Sequence, residues 1–108
     1  MTSDKLYHYR ATFLRAVDGD TIDVELDHGF ERMRSTRRLR LLGVDTPERG
    51  QQGYHEATAL TFDQLEAAQE IIVRTVSKDS FGRWLAEVWC DGVSLNQQLI
   101  DRGWPWRG

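Results

Sequence analysis

From Asp20 to Asp27 the chain reads DTIDVELD, and no other stretch restricts the fold so tightly. Asp20, Ile22, Val24 and Leu26 share one parity, and Thr21, Asp23, Glu25 and Asp27 share the other. A period of two fits a β-strand with one face on a core and the other in water. Asp20 is the exception within its set, a carboxylate at the mouth of an apolar face. Asp18-Gly19 before it and His28-Gly29 after it are turn signals, so this strand is predicted to sit between two close neighbours.

The neighbours can be read in turn. Residues 7–17 carry β-formers with imperfect alternation and predict a first strand. Residues 35–44 predict a third, ended by Pro47, with Thr46 pushed to an extended conformation by the proline after it. Residues 54–69 predict a helix with an apolar stripe at Ala57, Leu60, Leu65 and Ala68, and with Phe62 off the stripe. Ile71–Val76 and Trp84–Cys90 predict a fourth and a fifth strand around a turn at 78–83. Ser94 and Gln97 form a capping-box pattern for a short helix bearing Leu95, Leu99 and Ile100, with Gly103 placed to end it.

Five strands and two helices in 108 residues leave sheet edges exposed unless the sheet closes on itself. The expected fold is therefore mainly β with α: a five-stranded OB-type barrel with two helices packed on it, forming one domain over residues 1–108. A chain of this length buries roughly 60–65% of its unfolded surface, enough for one modest core.

Composition narrows the function. The net charge of −3 argues against a protein that coats nucleic acid by charge alone. Yet Arg32, Arg34, Arg37, Arg38 and Arg40 fall within nine residues, either as a solvated strand edge or as a phosphate-facing patch. Cys90 has no partner for an internal disulfide and sits in an apolar run, as a buried thiol would. His8, His28 and His55 have no metal-ligand spacing. No apolar segment approaches 18 residues, and MTSDKLYHYRATF has no apolar leader core, so an intracellular protein is expected, with a processed or secreted form left open. A monomer is expected as well, although the tryptophans near the terminus leave a dimer open.

Polar residues gather where the strands end. Asp20 opens the second strand, Asp45 closes the third, and Glu48 follows it. Arg40 lies on the opposite face from Leu39 and Leu41, and Arg83 enters the fifth strand after Gly82. Each has a plain structural explanation alone, as turn chemistry or surface charge; together they gather acids and guanidiniums at one end of the barrel.

The strings DGDT (18–21), RLLGVDTPE (40–48) and DSFGRWLA (79–86) resemble, in order and separation, the motifs of staphylococcal-nuclease-like domains, over about residues 9–104. The resemblance implies an OB barrel and calcium-dependent cleavage of DNA and RNA phosphodiesters that leaves a 3′-phosphate. It further implies that Asp20, Asp45 and the Thr46 carbonyl bind Ca²⁺. Glu48 would activate water, and Arg40 and Arg83 would grip the phosphate. Phe81 and Leu85 fall where the family contacts the substrate. Ser80 stands in place of a lysine, Phe81 in place of a tyrosine, and the 49–53 loop is shorter. The family's third helix is expected to be absent, with Trp104 and Trp106 covering core in its place or offering stacking faces.

Charge supports a dication in this set. Three carboxylates and two guanidiniums leave −1, which repels a phosphodiester; Ca²⁺ would make it +1 and relieve the crowding of carboxylates. The competing readings are an OB module that binds single strands or a protein without cutting, and an inactive fragment acting as an inhibitor or scaffold.

Overall fold

The computed structural model describes residues 7–31 and 33–107. The leader reading of the first six residues and the place of Arg32 in the arginine run lie outside them. Strand β1 (His8–Asp18) pairs antiparallel with β2 (Thr21–Asp27), and β2 with β3 (Arg34–Leu41). Helix α1 (Tyr54–Ala67) follows. Strand β4 (Ile71–Lys78) returns along β1, and β5 (Trp84–Cys90) pairs with β4. A parallel pairing of Leu39–Leu41 with Trp84–Ala86 closes the five strands into a barrel. A two-residue strand β6 (Val93–Ser94) folds back on β5 and leads into α2 (Leu95–Asp101). The expected OB-type barrel with two helices is what the chain forms.

The parity of β2 sets the core. Ile22, Val24 and Leu26 are buried, and Leu39 and Leu41 of β3, Val73 of β4 and Val88 of β5 meet them inside. The imperfect alternation of β1 has a structural cause: its register against β2 slips between Phe13 and Arg15 and again between Ala16 and Asp18. Each bulge bends the strand, letting β1 pair with β4 over His8–Ala11 and with β2 from Arg10 to Asp18. Leu14, at the first bulge, is left exposed.

Helix α1 covers β1 with Ala57, Leu65, Tyr54 and Thr61. The stripe was predicted through Leu60, which is only half-buried, whereas Thr61 is fully buried because its hydroxyl donates to the Gly19 carbonyl at 2.7 Å. Phe62 lies off the buried face as expected, edge-on to Phe13. At α2, Ser94 caps the helix by accepting the Gln97 N–H, but the Gln97 side chain turns forward to Asp101, so only half of the capping box forms. Buried Asn96 ties α2 to the barrel. Its carbonyl oxygen accepts the Val88 N–H, and its amide donates to the carbonyls of Ala86 and Leu42.

The third strand ends at Leu41, earlier than the predicted residue 44. Gly43 adopts a φ of 77° and turns the chain, so Val44 is buried out of parity with Arg40. The C-terminal segment pins this turn. The Trp106 N–H donates to the Gly43 carbonyl and the Asp45 N–H to that of Trp104, and Val44 bridges Pro105. Of the two tryptophans expected to cover core, Trp104 packs against it, while Trp106 remains exposed. Trp84 also packs on the core, and Trp89 stacks on His8. Cys90 is buried, and burial, with the charge of Asp91, pushes its thiol up to about 11, leaving it protonated at neutral pH. No described helix is long and apolar enough to cross a membrane.

Candidate active site

The β1–β2 hairpin, the turn after β3 and the start of β5 meet at one end of the barrel. They enclose a pocket of about 210 Å³ lined by Asp18, Asp20, Thr21, Arg40, Asp45, Thr46, Pro47, Glu48 and Arg83. All six residues predicted for metal and phosphate chemistry are there. Register explains the meeting: Thr21 stands opposite Arg40, so the acids of the hairpin lie beside the arginine of β3. The Leu41 N–H donates to the Asp20 carbonyl at 2.8 Å and fixes the hairpin there.

Asp20 is the anchor. The residue is 8% exposed; Oδ1 accepts from the Thr21 hydroxyl at 3.0 Å and Oδ2 from the Thr46 N–H at 3.1 Å. Arg40 places Nη1 3.3 Å from Asp20 Oδ2 and Nη2 3.6 Å from Asp45 Oδ1, and also donates to the Val44 carbonyl. One guanidinium thus spans both carboxylates and the turn between them. Asp45 is largely exposed. Glu48 is exposed too, but its backbone is held in a small ring: its N–H donates to Gln51 Oε1, and the Gln51 N–H to the Glu48 carbonyl.

Arg83 is oriented by Asp79. Nε and Nη2 reach Asp79 Oδ2 at 2.9 and 2.8 Å, while Oδ1 accepts the N–H groups of Phe81 and Arg83. Burial pushes the Asp79 carboxyl up, but those two backbone N–H bonds and the guanidinium outweigh it and hold it below its usual range. Phe81 and Leu85 line an adjoining groove of about 360 Å³ with Arg40, Arg83 and Trp106. Phe81 is 81% exposed, with the Arg83 guanidinium 5.3 Å from its ring centre.

Two contributors escaped the sequence reading. Asp18 lines the pocket beside Asp20; the DGDT string contains it, but only the turn at Gly19 shows that residues two apart end on the same pocket. Asp79 sits four residues before Arg83, where a turn reading hid its role as the guanidinium's partner.

Gly19 permits the close approach of the hairpin. A Cβ there would stand 2.9 Å from Thr46 Oγ1 and 3.0 Å from both Thr46 Cγ2 and Ala57 Cβ. Thr46 is buried, and its hydroxyl has no partner among the described residues. Gly19→Ala should therefore destabilise the protein by about 1–3 kcal/mol, the range for overpacking, as measured by urea unfolding. It should also loosen Asp20, because the displaced threonine carries the N–H that holds its carboxylate.

The donor set fits a hard cation. Asp20 and Asp45 offer only oxygen, and Arg40 contacts only one oxygen of each. Among the described residues no three His, Cys, Asp or Glu side chains gather as a metal-holding group. An ion held here would complete its shell with a backbone carbonyl and water, as suits a hard cation such as calcium better than zinc, which draws mainly on His and Cys.

The family model described as "Staphylococcal nuclease homologue" matches residues 38–107. That stretch takes in Arg40, Asp45, Thr46, Glu48 and Arg83; Asp18 and Asp20 lie before it and join the site through the register of β2 on β3. The "Micrococcal nuclease" of Shigella flexneri is 31% identical over 107 residues, covering 91% of this chain and 58% of that protein. "Protein ParB" of Escherichia coli is 30% identical over 93 residues, covering 86% of this chain and 46% of its own. The "Probable staphylococcal-like nuclease CAN1" of Oryza sativa subsp. japonica is 28% identical over 78 residues, 72% of this chain and 23% of that protein. The chain thus spans about a quarter to somewhat more than half of these relatives' lengths.

Proposed function

The chain belongs to the staphylococcal nuclease family, and from that membership we propose that it hydrolyses phosphodiester bonds of single-stranded DNA or RNA with the help of a bound calcium ion. The observation that carries this reading is the convergence of Asp20, Asp45, Thr46, Glu48, Arg40 and Arg83 on one pocket. Asp20, Asp45 and the Thr46 carbonyl would hold the ion, which when bound supplies Lewis acidity and two positive charges.

The charge balance is more acidic than the sequence count. With Asp18 in the lining, four carboxylates and two guanidiniums sum to −2, and Asp79, paired with Arg83 beside the pocket, adds a further −1. A dication offsets most of this charge, without reaching +1, and weakens the repulsion of a phosphodiester.

The chain's own residues then divide the chemistry. Glu48 accepts a proton from the attacking water as its oxygen bonds to phosphorus and the bond to the leaving oxygen breaks. Arg40 and Arg83 donate to phosphoryl oxygens, most strongly as negative charge builds on them. Arg40 is rigid because its strand is paired on both sides at that point, and Arg83 is aimed by Asp79. Phe81 and Leu85 offer apolar faces to the bases beside the reacting phosphate.

The experiment is incubation of an end-labelled single-stranded oligonucleotide with the protein and calcium, read as product length. Shortened strands support hydrolysis. Strands that are bound and remain whole overturn it in favour of a binding module.

A further inference from the structure

We propose that a second cleft, at the open seam of the barrel, binds a stretch of the same single strand next to the bond being cut; this rests on the nuclease reading of the neighbouring pocket. The cleft encloses about 620 Å³, three times the space of the catalytic pocket.

Its origin lies in the strand pairing. β3 pairs with β5 only through Leu39–Leu41. Earlier in β3, Arg34–Arg38 pair with β2 on one side and with no strand on the other among the described residues. The end of β4 and the start of β5 face that gap and line the opening. Arg37, Arg38 and Lys78 bring positive charge, Tyr7, Tyr9 and Trp84 bring rings, and among the described residues no aspartate or glutamate lines it.

The cations are unequal. Arg38 is committed to Asp23 by two hydrogen bonds of 2.8 and 3.1 Å, a carboxylate it shares with Arg15 at 3.1 Å. Arg37 donates only to the Thr36 carbonyl, and the Lys78 ammonium lies 5.6 Å from the Trp84 ring centre. Among the described residues neither has a carboxylate within ion-pair distance. Two cations with no carboxylate partner among the described residues, beside the exposed Tyr7 ring and the partly buried Tyr9 and Trp84 rings, form a local polyanion site in a chain whose net charge is −3. The rings decide which polyanion: Tyr7 is 55% exposed, and stacking on bases is a contact that an acidic peptide cannot return.

The two sites share one loop. Lys78, Gly82 and Trp84 line the cleft, while Arg83 between them lines the catalytic pocket. Adjacent residues entering a strand point to opposite faces, so one strand of nucleic acid crossing this loop meets both sites. This gives the arginine run of β3 a division of labour. Arg40 serves the reacting phosphate, Arg38 is held in structure, and Arg37 serves a phosphate farther along.

The test is fluorescence anisotropy of a labelled oligothymidylate of about twelve nucleotides, in EDTA to separate binding from cleavage. Arg37→Gln with Lys78→Gln should weaken binding about tenfold at low salt and flatten the slope of log affinity against log salt by about 1.4, roughly 0.7 for each cation removed. Tyr7→Leu should weaken binding while leaving that slope unchanged. Arg102→Gln, an equal charge change at the exposed end of α2, should change neither. Thermal melts of all variants should match the wild type, since these side chains are exposed.

The proposal is overturned if the double variant binds with wild-type affinity and slope, if Arg102→Gln weakens binding equally, or if polyglutamate competes as well as the oligonucleotide. Its failure is distinct from that of the nuclease reading. Cutting without dependence on Arg37 and Lys78 removes the cleft alone, and cleft-dependent binding without cutting in calcium removes the nuclease alone.

Discussion

Arg83→Ala is expected to lower turnover by about 10²–10³-fold, the cost of removing one preorganised donor from a developing oxyanion, while the protein stays folded. The geometry separates these two effects. Asp79 closes the 79–83 turn through its bonds to the backbone N–H groups of Phe81 and Arg83, and those survive when the guanidinium is removed. The guanidinium uses Nε and Nη2 on Asp79, so its Nη1, which has no partner among the described residues, is left to donate to substrate. Rates close to wild type in Arg83→Ala would remove this residue from the chemistry.

A companion variant tests the orientation. Asp79→Asn keeps the shape of the turn and loses the charge that aims Arg83, so kcat should fall with little change in KM. The pH dependence has a definite sign. The folded Asp79 carboxyl titrates below its ordinary value of 3.8, so its contribution to stability is complete above that pH and is lost as the pH falls below it. Wild type and Asp79→Asn should therefore differ in Tm at pH 6 and converge in stronger acid.

Glu48→Gln is expected to slow turnover by about 10²–10⁴-fold, the usual contribution of a positioned general base, while leaving calcium binding intact. The amide keeps the size of the side chain, and the backbone ring with Gln51 does not involve the carboxylate. Calcium affinity measured by calorimetry alongside the rate distinguishes the roles. A variant that no longer binds calcium would make Glu48 a metal ligand, not a base.

Local alternation made the barrel legible before its coordinates. The parity of Ile22, Val24 and Leu26 named the inner face of β2, and the helix and strand order then required closure. Long-range partners were less visible. The burial of Thr61 has no local signal, because its acceptor, the Gly19 carbonyl, lies in another element. Asn96 carries no sequence signal of its three bonds to β5 and the turn after β3. The same limit applies at the site. Parity placed Arg40 on the outer face, but the early end of β3 at Leu41 depends on the turn at Gly43 and on the Trp104–Trp106 segment that pins it. Asp18 and Asp79 were read as turn residues, which they are; their second role depends on where the turns are packed.

The central claim is that this acidic pocket accepts a phosphodiester only once a dication has offset its charge. The most direct measurement is the initial rate of cleavage of a labelled single-stranded oligonucleotide as free calcium is raised from excess EDTA, for the wild type and for Asp45→Asn. The account predicts no turnover in EDTA, a saturable rise with calcium, and a midpoint displaced to higher calcium in the variant. Equal cleavage rates in EDTA and in calcium would contradict it.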